Sequence, residues 1–313
     1  MRYSLHTHFI IALFAVLEQP ASSYINAYRD RIKDIYFNYI TQNDLDQSNT
    51  DLAATVVSLR TPFSIGLSGG THFCAGVLAS QDTVLTSAHC VTDRNGAVVR
   101  TRRVVVVAGS PYRLRNLENE YFVEVKSIKL HPLYRRQNFH DIAVIQLTRE
   151  VPLSKFIATV TIGRLVVKPG KRCVALGWGR LYEYGPKSNE LLFIDAKILP
   201  LDDCLETYLI KKTIEEANSD ANLCVKSMEP ECEWCEGDRG SPVFCDNFLY
   251  GIAMGHLNCS RRGPTIFTHV PFHTDWIFGA SRAAKNCRLV LHVSVIAWQT
   301  FTCLTNPTNF AHL

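Results

Sequence analysis

Thr83-Val84-Leu85-Thr86-Ser87-Ala88-His89-Cys90 sets a short β-branched run directly before a histidine and a cysteine. Runs of the same kind recur on both sides of it: Ala54-Thr55-Val56-Val57-Ser58-Leu59, Arg103-Val104-Val105-Val106-Val107, Ile142-Ala143-Val144-Ile145-Gln146-Leu147 and Cys173-Val174-Ala175-Leu176. Short strands of this composition, divided by turn residues and with few helical stretches between them, predict an all-β barrel or sandwich over residues 52–280. No internal repeat is visible.

The chain has 313 residues, enough for a sizeable buried core. Apolar residues make up 47% and charged residues 20%, a globular rather than a disordered composition. The formal charge of +4 is too small to imply binding to nucleic acid or a membrane surface. Eleven cysteines carry more information. Cys232 and Cys235 form one C-x-x-C, but no second Cys or His pair stands at a zinc-site distance, so neither a metal nor another cofactor is expected.

Outward from the strand region lie three segments of different character. Residues 1–23 have Arg2, an apolar stretch Phe9–Leu17 and the small residues Ala21, Ser22 and Ser23, the layout of a secretory signal peptide. That predicts an extracellular protein whose cysteines form disulfides. In residues 24–51, Ile25, Tyr28, Ile32, Ile35, Tyr36, Tyr39 and Ile40 fall on one helical face, followed by a polar linker from residue 42. The helix 24–41 either folds back on its own domain or binds a partner. In the tail, 281–313, the apolar stretch Leu289–Leu304 is sixteen residues long, short of the roughly twenty a membrane span needs. A polar Thr305-Asn306-Pro307-Thr308-Asn309 follows it, unlike a lipid-anchor signal, and the role of the tail stays open.

Three motifs carry the chemistry. After Thr86-Ser87-Ala88-His89-Cys90 come His140-Asp141-Ile142-Ala143-Val144 and Gly237-Asp238-Arg239-Gly240-Ser241-Pro242. In the order His, Asp, Gly-Asp-x-Gly they resemble the chymotrypsin/trypsin-like serine peptidase family. His72-Phe73-Cys74-Ala75-Gly76-Val77-Leu78, Leu176-Gly177-Trp178-Gly179-Arg180 and Ile266-Phe267-Thr268-His269-Val270 with Trp276-Ile277 extend the resemblance over residues 53–278. It implies two six-stranded antiparallel β-barrels, near 53–155 and 165–270, with a short C-terminal helix. It also implies the disulfides Cys74–Cys90, Cys173–Cys245, Cys204–Cys224 and Cys235–Cys259, leaving Cys232, Cys287 and Cys303 over.

The same resemblance implies a degenerate catalytic site. His89 and Asp141 match the family's general base and its orienting carboxylate. The nucleophilic serine position, however, is Arg239, between Gly237-Asp238 of the former oxyanion turn and Gly240. A guanidinium stays protonated and only donates hydrogen bonds, so it cannot form an acyl-enzyme. Arg239 is expected to fill the cleft and pair with Asp141 or Glu233, since a lone buried charge is costly. Loss of a nucleophilic serine costs on the order of 10⁶ in turnover. Asp238 matches the aspartate that receives the family's freed Ile-Val-Gly-Gly terminus. No such tetrapeptide stands near residues 45–50, nor any Lys or Arg between Lys33 and Arg60, so Asp238 either finds another partner or remains zymogen-like.

The substrate pocket departs as well. Glu233 stands at the pocket floor, Met254-Gly255-His256 replaces the family's Ser-Trp-Gly, and Thr265 replaces a pocket-lining glycine. Arg94, Arg100, Arg102, Arg103, Arg113 and Arg115 form either a solvated face or a basic patch for a sulfated glycan or acidic partner. Asn258-Cys259-Ser260 is a formal glycosylation sequon. The expectation is a secreted, inactive serine protease homologue acting as an extracellular binding or regulatory protein, a cofactor or decoy for active proteases. Two alternatives stand beside it: a weak hydrolase using Ser241 or a water activated by His89, and a scaffold recruiting a partner through helix 24–41.

Overall fold

The computed structural model describes residues 51–62, 68–114, 120–135, 140–164, 166–181, 184–208, 219–228, 234, 236–254 and 263–279. The expected signal peptide, the helix 24–41, the tail 281–313, Cys232, Cys287, Cys303 and the sequon at Asn258 lie outside the described residues.

Twelve strands close into two antiparallel barrels. The first consists of β1 (Val56–Arg60), β2 (His72–Ser80), β3 (Thr83–Thr86), β4 (Val105–Ala108), β5 (Tyr121–Leu130) and β6 (Ala143–Leu147), in the order β1-β2-β3-β6-β5-β4. The second consists of β7 (Arg172–Gly177), β8 (Leu192–Leu199), β9 (Asn222–Ser227), β10 (Pro242–Cys245), β11 (Phe248–Ala253) and β12 (Thr265–His269), in the order β10-β11-β12-β9-β8-β7. A helix α1 (Leu201–Tyr208) follows β8, and helical residues 274–279 follow a 3₁₀ turn at Pro271–His273 after β12. Among the described residues no helix is long and apolar enough to cross a membrane.

Alternation sets the barrels. In β5, Val123 and Val125 are buried while Glu124 and Lys126 face water. In β8, Ile194, Ala196 and Ile198 point in while Asp195 and Lys197 point out. A one-residue slip would exchange these faces, so the pattern pins the register. Both residues of the β10–β11 turn, Asp246 and Asn247, have positive φ (50° and 66°), the backbone that a two-residue hairpin needs and that Asp and Asn tolerate best after glycine.

The first barrel packs Val57, Leu59, Leu78, Val106, Ile145 and their neighbours into one core. The second packs Ala175, Ile194, Val225, Val243, Ala253 and Phe267 into another. Three disulfides match the pairing implied by the resemblance: Cys74–Cys90, Cys173–Cys245 and Cys204–Cys224. Cys74–Cys90 ties β2 to the 3₁₀ turn at Ala88–Val91 that carries His89. Cys235 and Cys259, the fourth expected pair, lie outside the described residues.

Not every buried strand position is apolar. Ser58 and Arg60 in β1, and His72 opening β2, are 2%, 3% and 2% exposed. Arg60 and His72 are direct cross-strand partners. These three break the hydrophobic pattern where the first barrel meets the Gly237 turn of the second.

Candidate active site

His89 sits in the 3₁₀ turn Ala88–Val91, immediately after β3. Ser87 caps that turn, its Oγ accepting from the His89 amide at 3.1 Å. The same amide donates to Asp141 Oδ1 at 2.8 Å. Ser87 Oγ lies 2.8 Å from each carboxylate oxygen of Asp141 and donates to it. The Asp141 backbone carbonyl accepts from the Thr268 hydroxyl of β12 at 3.0 Å, a bond between the two barrels. Asp141 is therefore a buried carboxylate, 3% exposed, whose donors include the turn that carries His89. Ionised acceptors gain more from such donors than neutral ones. The structure thus joins His89 to the Asp141 carboxylate through its backbone amide, and adds Ser87.

The turn 237–241 comes from the other barrel. Gly237 and Gly240 have φ of 106° and 80°, a backbone that suits glycine. A Cβ at Gly240 would also run into the Ala75 carbonyl and the Thr86 hydroxyl. The turn is held by Ala75 N donating to Arg239 O at 2.8 Å, Gly240 N to Ala253 O at 3.0 Å and Ser241 N to Asp238 O at 2.9 Å. Asp238 is 4% exposed and accepts from the Gly179 amide at 2.6 Å. Its carboxylate fills the space that a Cβ on Gly177 or Gly179 would need, so the Gly-Trp-Gly segment serves as its cradle. This is a partner that the sequence reading left unassigned.

Arg239 is half-buried. Its charge acts on Glu236 and Lys187. Burial pushes the Glu236 carboxyl up, but the Arg180 hydrogen bond and the charges of Lys187, Arg180 and Arg239 outweigh it and hold the group below its usual range. Glu233, one of the two expected partners of Arg239, lies outside the described residues. Ser241 is fully buried, and its Oγ faces Gly177 and makes no hydrogen bond among the described residues.

Behind the turn runs a directional chain of hydrogen bonds. Gly237 O can only accept, so His72 Nε2, 3.1 Å away, carries the proton. Nδ1 then accepts from Ser58 Oγ at 2.8 Å, and Ser58 Oγ accepts in turn from Arg60 Nε at 3.0 Å. Lys187 Nζ donates to the His72 carbonyl at 2.9 Å. Burial first, then the charge of Lys187, with Arg113 and Arg60 adding to it against the Gly237 hydrogen bond, brings the His72 pKa down to about 3. The ring is neutral at physiological pH, as this tautomer requires. Trp178 meets the His72 ring edge-on at 5.6 Å and donates its indole N–H to Pro111 O at 2.9 Å.

The basic-patch reading needs one correction. Arg94, Arg100, Arg102 and Arg103 are exposed, but Arg113 is 8% exposed and donates to Ser188 O at 2.9 Å and Lys187 O at 3.1 Å. It braces the segment carrying Lys187 rather than facing solvent. Arg115 lies outside the described residues.

Of the pocket residues, Met254 is buried with Cys204, Leu205, Cys224 and Ile266. Thr265 is 7% exposed at the start of β12, paired with Val225. Trp234 packs edge-on against Phe267 at 5.4 Å. Gly255 and His256 lie outside the described residues. Sequence reasoning passed over Ser58, Arg60, Ser87, His72 and Lys187. The signal was present for the first two, which are polar residues two apart in the otherwise apolar run Val56-Val57-Ser58-Leu59-Arg60.

A family model described as Trypsin matches residues 54–277. Cationic trypsin-3 of Rattus norvegicus is 30% identical over 220 residues, covering 69% of this chain and 83% of the relative. Anionic trypsin of Canis lupus familiaris is 31% identical over 220 residues, with the same coverage of both chains. Trypsin-3 of Homo sapiens is 29% identical over 219 residues, covering 69% of this chain and 67% of the relative.

Proposed function

This chain belongs to the trypsin family, and from that premise we propose that it is a secreted member without peptidase activity that works by binding a protein outside the cell. The observation that carries the reading is Arg239. In the Gly237–Gly240 turn, the side chain at the position the resemblance gives to the nucleophile is a guanidinium. It has no lone pair to attack a carbonyl and no proton that His89 could take at neutral pH.

The burial of Ser241 supports the same reading. A nucleophile must reach both the substrate carbonyl and the imidazole, within about 3 Å of the latter. The Ser241 hydroxyl is enclosed and faces Gly177. The contacts of Asp141 give the retained residues a structural role, since its carboxylate caps the turn at His89 and its backbone carbonyl joins the barrels.

Three disulfides fit an oxidising, extracellular setting. The partner is read as a protein in that setting, with an active serine protease the first to test. The exposed Arg94, Arg100, Arg102 and Arg103 offer a subsidiary contact for a sulfated glycan or an acidic surface.

The test is covalent labelling. Purified full-length protein should take up no fluorophosphonate and turn over no peptide ester, before or after limited trypsin treatment. Arg239→Ser, given an engineered activation cut, should gain label at the new serine. Label on the unsubstituted chain would overturn the reading, and its loss in Ser241→Ala would assign the activity to the alternative nucleophile.

A further inference from the structure

His131, His140 and His273 are far apart in the sequence and meet in space. His131 follows β5 directly, His140 precedes Asp141 and β6, and His273 closes the 3₁₀ turn after β12. One ring nitrogen from each lies within 4.8 Å of the other two. The first two residues belong to one barrel and the third to the segment that closes the other.

Their protons can be assigned from their partners. His273 Nδ1 lies 2.7 Å from the His269 carbonyl and must donate to it, which leaves Nε2 a bare lone pair. That Nε2 is 2.9 Å from His140 Nδ1, which supplies the proton between them. His131 Nδ1 lies 3.3 Å from the Leu133 amide and accepts from it. Burial pulls His131 and His273 down to about 4, helped in each case by neighbouring histidines, and lowers His140 as well. All three are neutral imidazoles at pH 7, the form that binds a metal.

We propose that His131, His140 and His273 form a zinc site clamping the β5–β6 connection of the first barrel to the turn that follows the second. Two nitrogens on a tetrahedral zinc, each about 2.0–2.1 Å from it, stand about 3.3 Å apart. The 2.9 Å contact and the 4.8 Å span lie on either side of that value, so the rings need only small shifts. Zinc replaces the proton shared by His140 and His273, His140 passes to the tautomer protonated at Nε2, and the His131 Nδ1 lone pair turns from its 3.3 Å contact with the Leu133 amide to the metal. The His273 Nδ1–H bond to a backbone carbonyl is the outer-shell contact that fixes the ring of a metal-ligating histidine. An all-imidazole set selects zinc over calcium or magnesium, which take oxygen ligands.

The surroundings suit such a clamp. Trp276 meets His131 edge-on at 4.9 Å, and Phe272 lies 6.3 Å from His140, giving the site an apolar wall. His140 is held at φ 61°, uncommon for a residue with a Cβ, and is next in the chain to Asp141. A metal there grips the backbone beside the buried carboxylate. The site needs no catalysis and stands whether or not Arg239 abolishes it.

The experiment uses the full-length chain stripped with EDTA and titrated with Zn²⁺ in a calorimeter, with thermal melts in parallel. The expected result is a micromolar or tighter site, a zinc-dependent rise in Tm, and a loss of affinity of about 100-fold or more in each of His140→Asn and His273→Phe. Asparagine tolerates the positive φ at 140, so that variant keeps the fold if His273→Phe does not. His131→Gln supplies a third ligand deletion. Zinc binding that is undiminished in these variants would place the metal on other histidines and overturn the proposal. So would the absence of any tight site in the parent protein.

Discussion

Two buried carboxylates anchor the cleft, and they are held in different ways. Asp141 is served by side chain and backbone together: the Ser87 hydroxyl, the His89 amide and, at its own carbonyl, Thr268 across the barrel boundary. Asp238 accepts from the Gly179 amide inside a cradle made by two glycines without side chains. The Asp141 pocket is built from donors that could be exchanged for others. The Asp238 pocket is built from space, which one added carbon removes. A turn that carries Arg239 can keep this architecture, because unmaking the contacts of a buried carboxylate costs several kcal/mol whether or not chemistry follows.

The comparison is broken most directly by filling the space. Gly179→Ala should lose about 3 kcal/mol or more in urea unfolding, since the new Cβ displaces the Asp238 carboxylate from its donor. Asp141→Asn keeps shape and one acceptor oxygen, and should cost less, about 2 kcal/mol. Equal losses, or the reverse order, would show that the cradle yields more easily than its geometry implies.

A middle-sized effect sharpens the contrast through pH. The His72 chain holds the Gly237 end of the turn with a ring whose folded pKa, about 3, lies below its unfolded value near 6.5. Above pH 6.5 both states are neutral and the group adds no pH dependence. As pH falls from 6.5 toward 3, the unfolded chain takes up a proton that the folded chain refuses, and stability drops by about 1.4 kcal/mol per pH unit for this residue. Urea midpoints in EDTA should therefore fall over that window. His72→Gln should flatten the slope by one proton, leaving the share of His131 and His273, which titrate near 4, and of His140 and His269, which burial also lowers. An unchanged slope in His72→Gln would mean that the ring is not the buried neutral group described.

What was legible in the sequence follows the range over which each feature is encoded. The β-branched runs at 54–59, 103–107, 142–147 and 173–176 are local, so an all-β barrel or sandwich is legible in them, whereas the two-barrel architecture is what the family resemblance implies. His89, Asp141 and the Gly237–Gly240 turn sit in short motifs, the ones on which the resemblance rests. The convergence of His131, His140 and His273 has no local signature: the first two are separated by the β5–β6 connection and the third arrives after β12. Spacing of Cys and His pairs along the chain, the signal that argues against a metal in the sequence, does not report on such a cluster. Arg113 was misread for a related cause. Its charge suggested solvent, whereas the carbonyls of Lys187 and Ser188, on a distant segment, receive its guanidinium.

The smallest effect bears on the functional reading most closely. Ser241 stands two residues beyond Arg239 in the chain, and its Oγ makes no hydrogen bond among the described residues. A buried hydroxyl without a partner costs free energy rather than supplying it, so Ser241→Ala removes a penalty and opens space for a single oxygen atom. Its urea midpoint should stay within about 0.5 kcal/mol of the parent or rise slightly. A loss of 1.5 kcal/mol or more would mean that the hydroxyl has a strong partner, and His89 would become the first to examine. The contrast between the two pockets would then fail, because the turn would be held by a serine–histidine contact after all.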